Sequence, residues 1–408
     1  MLCFWQLGPM DQHRVNTRVL SALLSTSGPD VRLPRAPILS IAAAVSAGLG
    51  RFLWQGPPDT IHFAAIEGMT VAETTEVHTT FSGYPAYVAA LDEAQVAGQS
   101  SAVFGAGGEI LSDTYADTRF GSAVDLRADT IVKLRYRDTA LVDLPKPTRR
   151  IDQAINLSGL ATNHFGHWIG EFVPRLRHIV QLPELASTPI LVNADMPGSH
   201  FELLGRLCDN PVLRMSRDEV IKVGTLIVAP TITFFPFDLK PGHSVPIEGQ
   251  AAWSAPAMRF LRDKVLATVD APKPTSPDAI YLSRENSSWG RPLNEDALLA
   301  RCSDLGLRRV RLETMDFAEQ VVTIRRASTI VAPTGSALNM LIFARPDTRL
   351  LILTQRYPHN WGGWVGPLRE IGLDPCMIMS ATGDPFVKHA RYEIDINGLA
   401  SRLKEQAD

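Results

Sequence analysis

The spacing of hydrophobic and polar positions changes near residue 150. From about 61 to 147, short alternating apolar runs are separated by glycine and aspartate turns, which is typical of a β-rich section. From residue 151 the rhythm becomes strand then helix, with strands predicted at 154–157, 189–192, 212–215 and 225–229, and helices at 163–182 and 200–208. Alternating strands and helices predict a parallel sheet with helices on both faces.

A proline-rich stretch, 270–277, is predicted to be a linker that follows an amphipathic helix at 257–269. A second alternating series comes after it, with strands predicted at 279–282, 310–312, 329–331 and 350–353, and helices at 294–304, 317–326 and 336–343. Two α/β sheets joined by such a linker predict an α/β protein whose two lobes face a cleft.

The first 60 residues have the weakest pattern, which favours a helix at 18–24, a linker at 29–37 and an alanine-rich helix at 38–53. The predicted domains are an N-terminal segment, 1–60; a β-rich section with the N-terminal lobe, 61–270; a C-terminal lobe, 275–385; and a C-terminal tail or helix, 386–408.

Composition narrows the class of partner. The chain has 408 residues and a net charge of −3, which offers no basic field for a nucleic acid. Its cysteines lie far apart without a C-x-x-C pair, which argues against a zinc knuckle or disulfide scaffold and favours a reducing compartment. The first residues lack the basic start of a signal peptide, and the apolar stretch 37–49 is too short to span a bilayer. We therefore expect a cytoplasmic protein, with the membrane surface as an open alternative.

A turn of small residues between a predicted strand and a predicted helix suggests an anion site. Gly335 allows close backbone approach, and Thr334 or Ser336 could cap the helix or hold a phosphate oxygen. The free N–H groups at the helix start, including that of Ala337, would face the anion. An ordinary turn that binds nothing is the alternative, because G-x-G-x-x-G and a Walker lysine are both absent.

Residues 163–176, NHFGHWIGEFVPRL, carry the first candidate chemistry. On a helix, five polar side chains form one stripe: His164, His167, Glu171, Arg175 and His178. Glu171 could act as a general base with His167 orienting the acceptor hydroxyl. The alternatives are a solvated face with a Glu171–Arg175 ion pair, or a metal site of His164, His167 and Glu171. Asn163 is the predicted N-cap, and Pro174 should kink or restart the helix.

A second stretch with candidate chemistry is residues 281–296, YLSRENSSWGRPLNED. Arg284 follows a strand and would point into the crevice where open α/β sheets bind ligands, where it could grip a diphosphate. Arg291 is a second candidate for binding the diphosphate. The alternative is that Arg284 and Arg291 are both surface arginines without a ligand. Asn294 is the predicted cap of the next helix. The tryptophans of 359–364, HNWGGW, could stack on sugars or pack between domains, and we assign them no role.

Three stretches in order resemble glycosyltransferase family 61. Residues 165–176 are similar to its signature F/Y-x-H-W-L/I-x-D/E-x-x-P-R-L, and 281–296 to its Y-I/L-S-R … R-x-L/I-N-E segment. The third resembles its E … F-x-E-Q … G-A/S-x-L … F-x-x-P-G-T block, and consists of Glu313, Phe317-Ala318-Glu319-Gln320, Ala327, Gly335 and Phe343-Ala344-Arg345-Pro346-Asp347-Thr348. The resemblance covers about 163–353.

The resemblance implies a GT-B architecture of two Rossmann-like lobes and inverting, metal-independent transfer from a nucleotide-sugar. This agrees with the linker and with the absence of an Asp-x-Asp motif. The chain departs from the family where Thr334 replaces a frequent His, where Asn339-Met340 replaces Thr-Asn, and where Asp347 replaces Gly. The changed turn bears on the donor more than on the fold.

The leading hypothesis is an inverting transferase that moves a sugar, with UDP the expected carrier, to a hydroxyl of a glycan or lipid-linked saccharide. Arg284, Arg291 and residues 334–337 would bind the nucleotide-sugar. Glu171, or His167 if Glu171 only orients it, would remove the proton, with Asn163 and Arg175 as acceptor or orienting groups. No cofactor is expected. The alternatives are a pyruvyl-transferase-like polysaccharide-modifying enzyme and a catalytically silent GT-B-like scaffold.

Overall fold

The computed structural model of the chain describes residues 34–64, 66, 80–117, 129–136, 138–232, 253–270, 278–285, 292–355, 361–380, 382 and 392–404. Within these residues the chain forms two large sheets with helices packed on them, so the α/β class is confirmed. The predicted linker from 271 to 277 and the residue Arg291 lie outside the described residues.

The first sheet is mixed and, in the described part of the chain, holds eleven strands. They are β1 Arg35–Leu39, β2 Gly50–Gly56, β5 Ala86–Ala97, β6 Val103–Phe104, β7 Ile110–Leu111, β8 Val132–Tyr136, β9 Thr139–Val142, β10 Arg149–Asn156, β11 Ile190–Asn193, β12 Val212–Met215 and β13 Val220–Val228. The order is β12-β11-β10-β13-β5-β6-β7-β1-β9-β8, with β2 also paired to β5. The hairpin β3 Thr60–His62 and β4 Thr80–Ser82 stands apart.

The parallel strands β10 to β13 are those predicted by the strand–helix rhythm, with boundaries moved by a few residues. The predicted helix at 200–208 is observed at Gly198–Leu207 and that at 257–269 at Ala255–Leu266. The β-rich prediction for the preceding section is also confirmed, since β5 pairs with β13, β2 and β6 in antiparallel fashion. Residues 118–128 of this section lie outside the described residues.

The predicted alanine-rich helix at 38–53 is wrong. The chain forms β1, a short helix Ile41–Ser46 capped by Ser40, and then β2. Gly48 ends the helix with a φ of 80°, a left-handed conformation that favours glycine. Gly50 lies so close to β5 that an added Cβ would overlap the Ala90 carbonyl oxygen. The alanines therefore form only a short helix, and the tight pairing with β5 makes the chain after Gly48 a strand.

The second sheet holds five parallel strands within the described residues. They are β14 Ala279–Leu282, β15 Arg308–Val310, β16 Thr329–Pro333, β17 Arg349–Thr354 and β18 Pro375–Met379, in the order β15-β14-β16-β17-β18. The accompanying helices are Glu295–Asp304, Phe317–Arg326, Gly362–Glu370 and Ile396–Lys404. Two 3₁₀-helical segments occur at Leu312–Thr314 and Ser336–Phe343. The predicted strand at 310–312 is thus displaced, because Leu312 begins a 3₁₀ turn.

One hydrophobic core contacts both sheets. It includes Ile155 of the first sheet, Ile330 of the second, and Trp168 and Phe172 between them, all buried. Glu202 adds a polar connection, since its carboxylate accepts from the backbone N–H groups of Phe317 and Ala318 at 2.9 and 3.1 Å. A carboxylate at a helix start satisfies N–H groups that lack an intrahelical acceptor and complements the helix dipole.

The tryptophan stretch packs between the two parts of the chain. Trp364 is buried in the helix Gly362–Glu370, and the ring of Trp361 lies 5.9 Å from it edge to face. This helix meets the β3 hairpin so closely that a Cβ at Gly366 would overlap the His62 carbonyl oxygen. The two tryptophans therefore pack inside the protein. Among the described residues, no helix is long and apolar enough to cross a bilayer.

The close approach at Gly366 gives a stability prediction. Gly366→Ala should lower the free energy of unfolding by about 2 kcal/mol, because the backbone carbonyl of His62 cannot move aside as a flexible side chain could. Gly205→Ala is the matched control, since Gly205 is also helical and has open space around its Cβ position, and it should be neutral or stabilising by about 0.5 kcal/mol. Urea unfolding measures both, and equal effects would contradict the packing assignment.

Candidate active site

The segment that carries the histidine and glutamate motif, residues 165–179 (the motif segment), changes its helical type three times. It runs as α-helix at Phe165–His167, π-helix at Trp168–Phe172, 3₁₀ at Val173–Arg175 and α-helix at Leu176–Ile179. The predicted single helix over 163–182 is therefore wrong. Pro174 restarts the helix as predicted, because it has no N–H to donate. Asn163 is not the N-cap: His164 takes that position, and its side chain makes no capping hydrogen bond.

Two side chains of the motif segment form a close pair. Nδ1 of His167 lies 3.0 Å from Oε2 of Glu171, and the two side chains are 12% and 16% exposed. Arg175 donates from Nε to the backbone carbonyl of Glu171 at 3.1 Å, while its Nη2 is 4.0 Å from Oε1. The guanidinium also lies over the Phe172 ring. This arrangement is half-buried and hydrogen-bonded, unlike a solvated face.

The predicted polar stripe does not include His178. Its ring is buried and stacked on Trp54 of β2 at 4.6 Å between centroids. Its Nδ1 meets the Gln181 amide, and no described residue hydrogen-bonds its Nε2. Burial lowers the pKa of His178 to about 4, with the charge of Arg177 acting in the same direction and Asp59 opposing it.

His178 should therefore make stability depend on pH. Its pKa falls from the ordinary 6.5 to about 4 in the folded chain, so the contribution is fully present above pH 6.5 and is lost as pH falls through 4. The full loss would be about 3 kcal/mol of unfolding free energy. His178→Gln should show a shallower decline between pH 7 and pH 4.5 than the parent. Identical slopes in urea unfolding would contradict this role.

Arg284 lies where the order of the second sheet reverses. The strand β14 that precedes it is flanked by β15 on one side and β16 on the other, and such a switch point forms the ligand crevice of an open α/β sheet. Nη1 of Arg284 donates to the backbone carbonyl of Thr334, and a Cβ at Gly335 would overlap that nitrogen. Burial lowers the pKa of Arg284, and nearby Tyr392, Glu295 and Glu313 oppose the shift. Sequence reasoning placed Arg284 and Gly335 at one edge, and the structure brings them into contact.

Residues 334–337 (the glycine turn) face outward at the same edge. Leu338 is the first residue whose N–H bonds back to the Gly335 carbonyl, so the N–H groups of Ser336 and Ala337 precede the helical ladder. Gly335, with a φ of 162°, is extended and occupies the N-cap position without a side-chain cap. The hydroxyl of Thr334 bonds to buried Tyr392, whose pKa burial raises to about 12. Neither Thr334 nor Ser336 caps the helix.

Glu295, in the first turn of the helix Glu295–Asp304, is a positioning residue for Arg284. It is fully buried, and its Oε1 accepts from the backbone N–H of Arg284 at 2.8 Å and from the Ser283 hydroxyl at 3.3 Å. Asn294 occupies the N-cap but does not cap, because its amide bonds to both backbone groups of Ile394. Glu295 therefore fixes the backbone from which the Arg284 side chain extends.

The motif segment and the glycine turn are neighbours. A Cβ at Gly166 would lie 3.3 Å from the Ser336 Cβ, and the Asn339 amide donates to the Gly166 carbonyl at 3.3 Å. His167 follows Gly166 directly. One end of the motif segment thus contacts the helix that begins at the glycine turn, although the two lie more than 160 residues apart in the chain.

The other end of the motif segment lines a solvent-open cleft with a cavity volume of about 90 Å³. Glu171, Phe172 and Arg175 form one wall. Tyr87 of β5, Asp113 of the short helix Asp113–Ala116 and Asn156 at the end of β10 also line this cleft. No motif of the sequence indicated that these residues contribute. In the described part of the chain, no cluster of three or more His, Cys, Asp or Glu side chains has metal-binding geometry.

Residues 165–351 match the family model described as Glycosyltransferase 61, just under half of the chain. The protein is a glycosyltransferase. The resemblance stated from the three motifs is confirmed, while the roles of individual side chains in this glycosyltransferase stay predictions. No curated protein sequence matches the chain.

Among solved structures, the chain is similar to the dodecameric iron-containing heptosyltransferase TibC, which was solved in complex with ADP-D-beta-D-heptose. Its TM-score is 0.30 at 13% sequence identity, and the match covers 62% of this chain and 69% of that chain. A likeness at that level carries no argument about fold or ligand.

Proposed function

We propose that the protein is an inverting glycosyltransferase of GT-B type that transfers a sugar from a nucleotide-sugar, with UDP as the carrier, to a saccharide hydroxyl. The observation that carries this proposal is the contact of Arg284 with the glycine turn at the switch point of the parallel sheet. The Glycosyltransferase 61 match supports the class of reaction. The donor, the stereochemistry and the two-lobed layout are parts of the proposal.

The donor would bind through its diphosphate at the glycine turn. The N–H groups of Ser336 and Ala337 precede the first bond of the helical ladder and would donate to a phosphate oxygen, and the helix dipole favours negative charge there. Arg284 supplies a fixed positive charge, because Thr334 and the buried Glu295 hold its side chain and backbone. Arg291 remains a proposed donor-binding residue on the resemblance alone.

The same groups would stabilise the departing nucleotide. Negative charge grows on the leaving phosphate in the transition state, and donors already fixed in place stabilise it without reorganising. We assign that role to Arg284 and the two N–H groups, so that the proposed reaction requires no metal ion or other cofactor.

The acceptor hydroxyl would be deprotonated by Glu171. Its carboxylate lines the cleft and bonds to His167, which orients it. The reverse assignment has His167 as base, with Nδ1–H donating to Glu171 and Nε2 receiving the proton. Gly166 contacts Ser336 of the glycine turn and Glu171 lines the cleft, which supports a base located between the proposed donor and acceptor. Asn163 is exposed at the start of this segment and is kept only as a proposed acceptor or orienting group.

The acceptor is proposed to be a glycan or lipid-linked saccharide of polysaccharide assembly such as a capsule, in the cytoplasm or at its membrane surface. A nucleic-acid partner is not proposed, because a net charge of −3 offers no basic field for a phosphate backbone.

A thermal-shift panel of UDP, GDP, CMP, UDP-sugars and phosphoenolpyruvate tests the donor site. A ligand at a hundred times its Kd adds about 2.7 kcal/mol, which raises the Tm by a few degrees. We expect one nucleotide diphosphate to stabilise the parent and the Arg311→Ala control but not Arg284→Ala. Arg311 is a matched control, because it follows β15 at the same sheet edge and is exposed.

Response to phosphoenolpyruvate alone would favour the pyruvyl-transferase alternative. Nucleotide binding without sugar release from any UDP-sugar would favour the silent scaffold. An absence of response to every nucleotide would contradict the donor site.

A further inference from the structure

The cleft beside Glu171 has a wall that lies outside the region matched to the family model. Tyr87, Asp113 and Asn156 precede residue 165, and each lines the cleft together with residues of the motif segment. The donor site accounts for none of these three polar side chains.

Asn156 presents a hydrogen-bond donor to the cleft. Its Oδ1 accepts from both the backbone N–H and the hydroxyl of Ser158, at 3.1 and 2.7 Å. The residue is only 8% exposed, and no described residue hydrogen-bonds its Nδ2. A buried amide N–H group that faces a cleft without a protein acceptor is suited to a ligand oxygen.

The Asp113 carboxylate, held by Tyr87, presents a hydrogen-bond acceptor to the cleft. The Tyr87 hydroxyl donates to Oδ2 of Asp113 at 2.5 Å, and Oδ1 accepts from the Ile41 N–H at 2.9 Å. These two bonds fix the carboxylate, and each of its oxygens retains a second lone pair. Burial raises the pKa of Asp113 against the opposing effect of these hydrogen bonds.

The charges and the cleft surface narrow the ligand class. Asp113 and Glu171 are acidic, and Arg175 is the single basic side chain among the lining residues of this cleft. That balance disfavours an anionic ligand, because two carboxylates would repel it. Ile41, Val103 and Phe172 supply an apolar surface between the polar groups. Polar groups that both donate and accept around an apolar surface match the hydroxyls and the carbon face of a sugar.

We propose that this cleft is the acceptor site and takes a neutral saccharide through two hydroxyl groups, one accepting from the Asn156 amide and one donating to the Asp113 carboxylate. Tyr87 is a positioning residue that holds Asp113. The assignment rests on the proposed function, and it makes the N-terminal section the determinant of acceptor choice, with Glu171 at the wall that faces the bound sugar.

Saturation-transfer NMR titration with methyl β-glucoside, methyl β-xyloside, lactose, cellobiose and glucuronate tests this without turnover. The variants are Asn156→Asp, which keeps the acceptor for Ser158 and removes the donor, and Tyr87→Phe. Tyr84→Phe is the matched control, because Tyr84 also donates to an aspartate, Asp117 at 2.9 Å, but does not line the cleft. The nucleotide-dependent Tm shift is measured on the same samples.

We expect a neutral probe to bind the parent and Tyr84→Phe, with a Kd raised about tenfold in Asn156→Asp and less in Tyr87→Phe, which corresponds to one lost hydrogen bond. The nucleotide shift should match the parent in all of them. Glucuronate binding more tightly than the neutral probes, no neutral probe binding the parent, or unchanged binding in both cleft variants would overturn the proposal. Saccharide binding with no nucleotide response would instead reject the proposed function and leave only a saccharide-binding cleft.

Discussion

Glu171→Gln is expected to slow sugar transfer by about 10²–10⁴-fold while nucleotide binding stays at the parental level. The substitution keeps the shape of the side chain and a hydrogen bond to His167, but it removes the group that would accept the proton. The backbone carbonyl of Glu171, which holds Arg175, is unchanged. Single-turnover transfer at saturating donor and acceptor measures the effect directly.

His167→Gln separates the two assignments of the base. If Glu171 is the base and His167 orients it, this variant should lose less activity than Glu171→Gln. A larger loss in His167→Gln would exchange the two roles. Parental transfer rates in both variants, with acceptor at saturation, would remove the pair from the chemistry altogether.

Gly335→Ala should weaken donor binding strongly, although it replaces no side chain that is proposed to contact the donor. The added methyl would occupy the place of the Arg284 guanidinium and expel it from its bond to Thr334. Losing a charge-assisted hydrogen bond to phosphate corresponds to a Kd increase of roughly 10- to 100-fold. Calorimetric titration with the nucleotide diphosphate identified in the thermal-shift panel measures it.

A double-mutant cycle makes this prediction specific. In the Arg284→Ala background, Gly335→Ala should add little, because its effect acts through the guanidinium that is already gone. Gly198→Ala is the control, since its Cβ position has open space and lies far from the turn in the chain. Additive losses from Gly335→Ala and Arg284→Ala would show that the two residues act separately.

Local patterns predicted the regular elements of the second sheet well. The strand Ala279–Leu282 and the helix Phe317–Arg326 were found at their predicted bounds, because each is an apolar or amphipathic run bounded by turn residues. The same approach failed at 38–53, where the pairing of Gly50 with β5 depends on a strand about 40 residues away. It also missed the π and 3₁₀ turns of the motif segment, which depend on packing as well as on Pro174.

Part of the candidate site could likewise be predicted from local patterns, and part of it could not. Arg284 and Gly335 could be placed at the carboxyl ends of two strands, and the expectation of a crevice there follows from general rules of α/β sheets. Their contact could not be predicted, because it requires that β14 and β16 be neighbours. Asp113 carries no local signal at all, since its partners Ile41 and Tyr87 are 72 and 26 residues away.

The π-helical turn at Trp168–Phe172 bears on how this region can change in evolution. A π turn accommodates an extra residue compared with an α-helix, and each residue turns an α-helix by about 100°. The wider turn between His167 and Arg175 therefore absorbs one residue that a regular α-helix could not, since an extra residue there would turn every later side chain by about 100°. A chain one residue shorter in this stretch could return to regular winding and still direct its later side chains toward the same cleft.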